Sequence, residues 1–215
     1  MELYDYINSN SSKPSLALKW VEKQTNIRTN HARMLSGAVL GEFLRMIVFM
    51  SKPSRILEIG TFTGYSAICL GSAMKENNIQ CHLDTLEIND ELEDIIFGGI
   101  EKAGLSEDID VHFGDAKENL KELAKAGKKY DLIYMDANKR EYCEYYGLCF
   151  DMLNNGGYII ADNVLWDGKV YQEPLPNDKQ TQSLAHFNTM IASDPRVESV
   201  ILPIRDGINL IRKIG

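Results

Sequence analysis

From residue 54 onward, short apolar runs alternate with amphipathic segments, and this alternation constrains the fold of the 215-residue chain more than any other feature. The runs at 54–60 (SRILEIG), 82–87 (HLDTLE), 110–113 (DVHF), 130–136 (YDLIYMD) and 157–162 (GYIIAD) are rich in Ile, Leu and Tyr. Most end in Gly or an acid, as strands do. Helical patterns fill 63–77, 90–103, 117–126 and 140–153, with clusters such as Asn154-Asn155-Gly156-Gly157 at the joins. Strands alternating with helices pair in parallel through right-handed crossovers, which predicts an open α/β sheet. The tail differs. Runs at 197–203 and 207–213 are joined by Arg205-Asp206-Gly207, and an Asp-Gly turn predicts a hairpin with an antiparallel edge.

Ahead of the sheet, 32–50 carries Leu35, Val39, Leu40, Phe43, Leu44, Ile47 and Val48 at helical spacing, a stripe that predicts an N-terminal helical cap. No repeat, linker or low-complexity tract interrupts the chain. At 44% hydrophobic content it can bury one good core, so the expectation is a single domain over 1–215, with a cap (1–50) and an α/β core (51–215). A net charge of −8 argues against a basic face for nucleic acid. The sequence reads as having no apolar stretch of membrane-spanning length, and its polar, acidic start (1–12) is unlike a signal peptide. Cys69, Cys81, Cys143 and Cys149 form no CxxC pair and read as reduced, inert thiols, which fits a cytoplasmic protein.

In doubly wound sheets, ligands bind beyond the carboxyl ends of the strands. The first strand runs into Glu58-Ile59-Gly60-Thr61-Phe62-Thr63-Gly64-Tyr65-Ser66. The spacing is G-x-x-x-G, and the tighter G-x-G-x-x-G that a dinucleotide's pyrophosphate requires is absent. A sulfonium nucleoside has no phosphate to cradle, so the looser loop favours S-adenosylmethionine, against the plain alternative of a structural strand-to-helix turn. The second strand ends in Glu87, at the offset where such folds place an acid for ribose hydroxyls. The third ends in Gly114-Asp115-Ala116, a small segment able to hold an adenine edge.

Strands four and five end in Asp136 and in Asp162-Asn163. Neighbouring strands lie about 4.8 Å apart, so the two carboxylates would repel unless compensated. A divalent cation compensates them, and two acids with one amide oxygen suit Mg²⁺, Mn²⁺ or Ca²⁺ rather than zinc. Spacing alone leaves two solvated loop acids as an equal alternative. The chemistry gives a metal a purpose, because methyl transfer needs a deprotonated oxygen and chelation of two adjacent hydroxyls favours ionisation. Lys139, three residues past Asp136, is a candidate base, against the alternative of a solvent-facing helix lysine.

Taken together, the strings LEIGTFTGYSAICL (57–70), GDA (114–116), YDLIYMDANKREY (130–142), GGYIIADNVLWDGKV (156–170), FN (187–188), DPRV (194–197) and LPIRDGINLIRK (202–213) resemble the metal-dependent O-methyltransferases of caffeoyl-CoA and catechol type, from about residue 30 to the end. The resemblance implies a Rossmann-like seven-stranded sheet, mostly parallel with an antiparallel C-terminal hairpin, helices on both faces, and a dimer. It implies S-adenosylmethionine contacts from Ser36, Glu58, Gly60, Thr61, Ser66, Glu87, Ala116 and Asp136. It also implies a divalent cation, Mg²⁺ before Ca²⁺ or Mn²⁺, on Asp136, Asp162 and Asn163, with Lys139 and Asp136 as the catalytic pair. In the segment Trp166-Asp167-Gly168-Lys169, Trp166 and Asp167 are the candidates to face a flat aromatic substrate. Two departures stand out: Asn138 where plant enzymes carry Asp, and Asn154-Asn155 where they carry Arg-Pro. A small aromatic substrate is therefore expected, with no membrane and no nucleic acid as partner. The competing readings are methylation of a hydroxylated uridine in tRNA and a catalytically silent binding protein on the same fold.

Overall fold

The computed structural model describes residues 3–78, 80 and 82–215; the readings made of residues 1–2 and of Cys81 lie outside them. Seven strands form one sheet: β1 Ile56–Ile59, β2 Leu83–Glu87, β3 Ile109–Phe113, β4 Tyr130–Met135, β5 Leu153–Asp162, β6 Val197–Leu202 and β7 Ile208–Lys213. Their order is β3-β2-β1-β4-β5-β7-β6. β1/β4, β2/β3 and β4/β5 pair in parallel, whereas β5/β7 and β6/β7 are antiparallel. The expected mostly parallel sheet with a terminal hairpin is what forms.

Chain contacts group the molecule into two compact units, Met1–Ser54 with Thr61–Phe113 and Arg55–Gly60 with Gly114–Gly215. The first holds β2, β3 and the helices α1 Leu3–Ser9, α2 Leu16–Arg28, α3 Gly37–Ser51, α4 Tyr65–Glu76 and α5 Glu93–Lys102. Ser15 opens α2, its hydroxyl accepting from the Leu18 amide. α3 buries Leu40, Leu44, Ile47 and Val48 and packs on α4. Gly41 makes the approach possible, since a Cβ there would lie 2.8 Å from Cys69 Sγ and 3.0 Å from the Tyr65 ring.

Within the helical region read at 32–50 the backbone is not continuous α-helix: a 3-10 turn covers Ala32–Met34, Leu35 is extended, and α3 begins at Gly37 with φ +75°. A left-handed residue cannot continue a right-handed helix, so the apolar stripe persists while the backbone resets. The stretch Ala32–Ser51 also has the length and composition to cross a membrane, at a mean hydropathy of 1.5, contrary to the reading that none does. In this unit its buried stripe is occupied by α4, as a core helix's is.

The second unit holds β1 and β4 to β7 with α6 Ala116–Lys125, α7 Tyr142–Phe150 and α8 Lys179–Ala192. β1 and most of β4 are buried, and Tyr130, Leu132, Ile133 and Tyr134 are fully so. Sheets covered on both faces call for such near-continuous apolar strands. β5 starts earlier than expected. Its register against β4 steps from Tyr130↔Leu153 to Leu132↔Tyr158, so the Asn-Asn-Gly-Gly turn survives as a bulge within a longer strand. α8, absent from the sequence reading, starts where the Asp178 carboxylate accepts from both the amide and the hydroxyl of Thr181. Cys69 and Cys149 are buried and Cys143 is half-buried, all as free thiols.

Candidate active site

In the first unit the loop after β1 and the end of β2 are bound into one cluster. Thr61 donates its amide to Leu86 O (3.1 Å), and its hydroxyl meets that of Thr85 at 2.5 Å. Thr63 accepts from the Thr25 hydroxyl (2.8 Å), which ties the loop to α2. Glu87 is the focus. Its carboxylate accepts from the Phe62 amide at 2.6 Å and the Asn89 amide at 2.9 Å, and it is buried. Burial pushes this carboxyl up while the main-chain amides of Asn89, Phe62, Ile88 and Thr61 pull it down. Phe62 takes φ +50° and Gly64 +86°, which turn the loop towards α4, where Ser66 lies buried. Ser36 is buried ahead of α3 in the same unit.

In the second unit Met135 pairs with Ala161, so the next residues along, Asp136 just past β4 and Asp162 at the end of β5, lie side by side as expected. The Lys139 ammonium donates to Asp136 Oδ1 at 2.6 Å and to Tyr142 Oη at 2.8 Å. Tyr142 Oη in turn faces the carbonyls of Met135 (3.1 Å) and Asp162 (2.9 Å), to which its one proton can be donated. Tyr134 donates to Asp162 Oδ2 (2.9 Å), and the Asn163 amide to Oδ1 (2.7 Å). Burial first, then the Asp136 charge, pushes the Asp162 carboxyl up to about 6 against the opposing pull of Lys139 and Tyr134. Burial also holds both phenols well above their usual range, so Tyr134 and Tyr142 act as proton-bearing donors.

Lys139 is therefore no solvent-facing lysine: its side chain is only 9% exposed. Gly60 lies in this unit at φ +98°, and a Cβ on it would sit 2.2 Å from Asp136 O. Only glycine lets the end of β1 close on the Asp136 backbone in this way. Glu58 is buried within β1, and Ala116 opens α6 behind Asp115, whose carboxylate caps the helix by accepting from the Lys117 and Glu118 amides.

Beyond Asp162 the backbone turns left-handed at Asn163 (φ 59°), Trp166 (48°) and Asp167 (53°). The turn between β6 and β7 holds this loop: Gly207 O accepts from Val164, Asp206 O from Leu165, and Asp206 Oδ1 from the Asp167 amide at 2.6 Å. Tyr134 and Tyr142 were not singled out from sequence. The two tyrosines flank Asp136 and Lys139 within the quoted 130–142 string, a signal present but unread. Asp206 was read only as part of the Asp-Gly turn, and its contact with Asp167, 39 residues away, gave no sequence signal.

The donor chemistry fits a hard cation. Two carboxylates and the Asn163 amide supply oxygen only, and each Asp162 oxygen, having accepted one hydrogen bond, keeps a lone pair. The ammonium of Lys139 already supplies positive charge to Asp136.

Comparison with known proteins adds to this geometry. The sequence profile of the O-methyltransferase family matches residues 8–214. Caffeoyl-CoA O-methyltransferase 2 of Petunia hybrida is 34% identical over 226 residues, which cover 99% of this chain and 90% of the relative. An SAH-bound methyltransferase of Podospora anserina superposes with a TM-score of 0.88 at 28% identity, covering 99% of this chain and 94% of that one. An O-methyltransferase of Streptomyces achromogenes, in complex with SAM, gives 0.87 at 26%, with 98% and 95% covered.

Proposed function

The chain belongs to the O-methyltransferase family, and from that membership we propose that it methylates one hydroxyl of a vicinal dihydroxy aromatic, a catechol or a caffeoyl-like compound, with a divalent cation. The observation that carries this reading is the cluster of Asp136, Lys139 and Asp162 pinned by Tyr134 and Tyr142. When bound, S-adenosylmethionine supplies the methyl group, and a cation such as Mg²⁺ would favour ionisation of the hydroxyl. Asp136, Asp162 and Asn163 are the residues to hold that cation. Tyr134 fixes the Asp162 carboxylate from behind by its hydrogen bond.

Lys139 is the residue to take the hydroxyl proton once its own ammonium has given one up; Tyr142 Oη and Asp136 Oδ1 hold its Nζ in place. Glu87 accepts the ribose hydroxyls, with Ser36, Glu58, Gly60, Thr61, Ser66 and Ala116 lining the rest of the donor's surface. Trp166 and Asp167 face the aromatic ring. The family resemblance further supports one domain, a homodimer and a cytoplasmic enzyme that does without membrane or nucleic-acid partners.

Incubation with labelled methyl donor and Mg²⁺ against a panel of catechol, caffeoyl esters, monophenol and bulk tRNA tests the proposal. Catechol-type compounds are expected to be labelled and monophenols to be poor acceptors, with labelling abolished by chelator. Equal rates on phenol and catechol, turnover in chelator, or labelling of tRNA alone would each overturn it.

A further inference from the structure

Four residues away from the candidate active site share one face of the β2–β3 pair. Asp84 and Asp110 are direct cross-strand partners, and side chains two apart on a strand face the same way, which adds His82 and His112. Like charges placed directly opposite each other destabilise a sheet, and here one of the two, Asp84, is fully buried. Each carboxylate has an imidazole against it: His112 Nε2 lies 2.8 Å from Asp84 Oδ1, and His82 Nε2 lies 3.4 Å from Asp110 Oδ2. Ligand atoms of His82, Asp84 and Asp110 all lie within 4.8 Å of one another.

We propose that this face is a second metal site, for a divalent transition cation of the zinc class, with His82, Asp84 and Asp110 as ligands and His112 orienting the Asp84 carboxylate. Mixed imidazole and carboxylate donors suit zinc, cobalt or nickel, in contrast to the all-oxygen set of Asp136, Asp162 and Asn163. Around a tetrahedral ion with ligand bonds of about 2.1 Å, ligand atoms sit about 3.4 Å apart. The cluster thus closes by up to about 1.4 Å. His82 and Asp110 can supply that movement, since their side chains are 33% and 58% exposed. A hydrogen bond from His112 to Asp84 is the kind of outer contact that fixes a ligating carboxylate.

The site lies at the start of the two strands, whereas Glu87 ends β2. At about 3.3 Å per residue, Asp84 and Glu87 are about 10 Å apart along the strand. The role is accordingly structural: the cation clamps β3, the strand at one edge of the sheet, to its neighbour β2.

The test is a Co²⁺ titration of the chelator-stripped full chain in excess Mg²⁺, read from the visible absorption of the bound ion. Wild type and Asp162→Asn should both bind a single equivalent, displaceable by Zn²⁺ and raising Tm. His82→Ala and Asp110→Asn change a half-buried and an exposed position, and circular dichroism checks their folding. Each should weaken binding at least about tenfold, and His112→Ala by about tenfold. Absence of the band in wild type, or a band insensitive to both His82→Ala and Asp110→Asn, overturns the proposal. So does a band lost in Asp162→Asn, because the ion would then belong to the other site.

Discussion

Glu87 and Asp162 are both buried carboxylates at the ends of parallel strands, yet their surroundings compensate them by different means. Glu87 accepts from two main-chain amides, fixed dipoles that satisfy an anion without cancelling its charge. Asp162 has one amide and a phenol, and it shares its neighbourhood with a second acid and a lysine. The first arrangement suits neutral hydroxyl donors, which need a firm acceptor in a fixed place. The second leaves an anionic pair short of positive charge, a condition that a cation relieves. Carboxylates alike in sequence context thus acquire separate chemistry from what their strands place beside them.

The largest effect is expected at the second carboxylate. Asp162→Asn keeps an acceptor for the Tyr134 hydroxyl and so should fold, as circular dichroism would show. Catechol methylation should nevertheless fall to background, because the cation loses a charged ligand. Wild-type turnover in this variant would collapse the contrast with Glu87. Next comes Lys139→Ala, expected to lower turnover by about 10²- to 10⁴-fold, the usual share of a proton-transfer group. Calorimetry should find its Mg²⁺ binding retained, and raising the pH should restore part of the rate as the substrate ionises unaided. A deficit that stays constant with pH would assign Lys139 to structure.

Glu87→Ala should cost about 1.5–3 kcal/mol of donor binding, about 10- to 150-fold in Kd, with Mg²⁺ affinity unchanged. An unaltered Kd in a folded variant would return Glu87 to capping its own loop. The smallest effect is expected from Asp206→Ala. Losing its bond to the Asp167 amide should raise KM for the aromatic substrate by about threefold to tenfold, in line with about 1 kcal/mol per hydrogen bond. Donor affinity should not move, and a change in donor affinity alone would refute its assignment to the substrate loop.

Much of this was legible in the sequence because it depends on short-range pattern. Runs such as 130–136 end in an acid, and sheet topology then carries Asp136 and Asp162 to adjacent positions. What could not be read depends on side chains meeting across long separations or on weak patterning. α8 buries Thr181, Leu184, Phe187 and Ile191, a helical spacing concealed by the polar run Lys179-Gln180-Thr181-Gln182-Ser183. α2 buries only Ala17, Leu18, Val21 and Thr25, too thin a stripe to stand out. The break before Gly37 lies inside an uninterrupted apolar pattern, where periodicity reports faces and not backbone turns. The grip of Asp206 on Asp167 spans 39 positions and leaves no local trace.

The left-handed backbone at Asn163, Trp166 and Asp167 bears on how this protein can adapt. Each such residue raises the energy of the folded chain by on the order of 1 kcal/mol, and all three fall within five positions. Lineages or laboratory selections under heat will therefore find easy gains in this loop, by substitutions that let the backbone relax. If Trp166 faces the acceptor as proposed, those gains should trade against discrimination among acceptors, because the relaxed loop would no longer hold its ring in one place. Screening loop variants for Tm and acceptor preference in parallel should show the two properties moving in opposite directions.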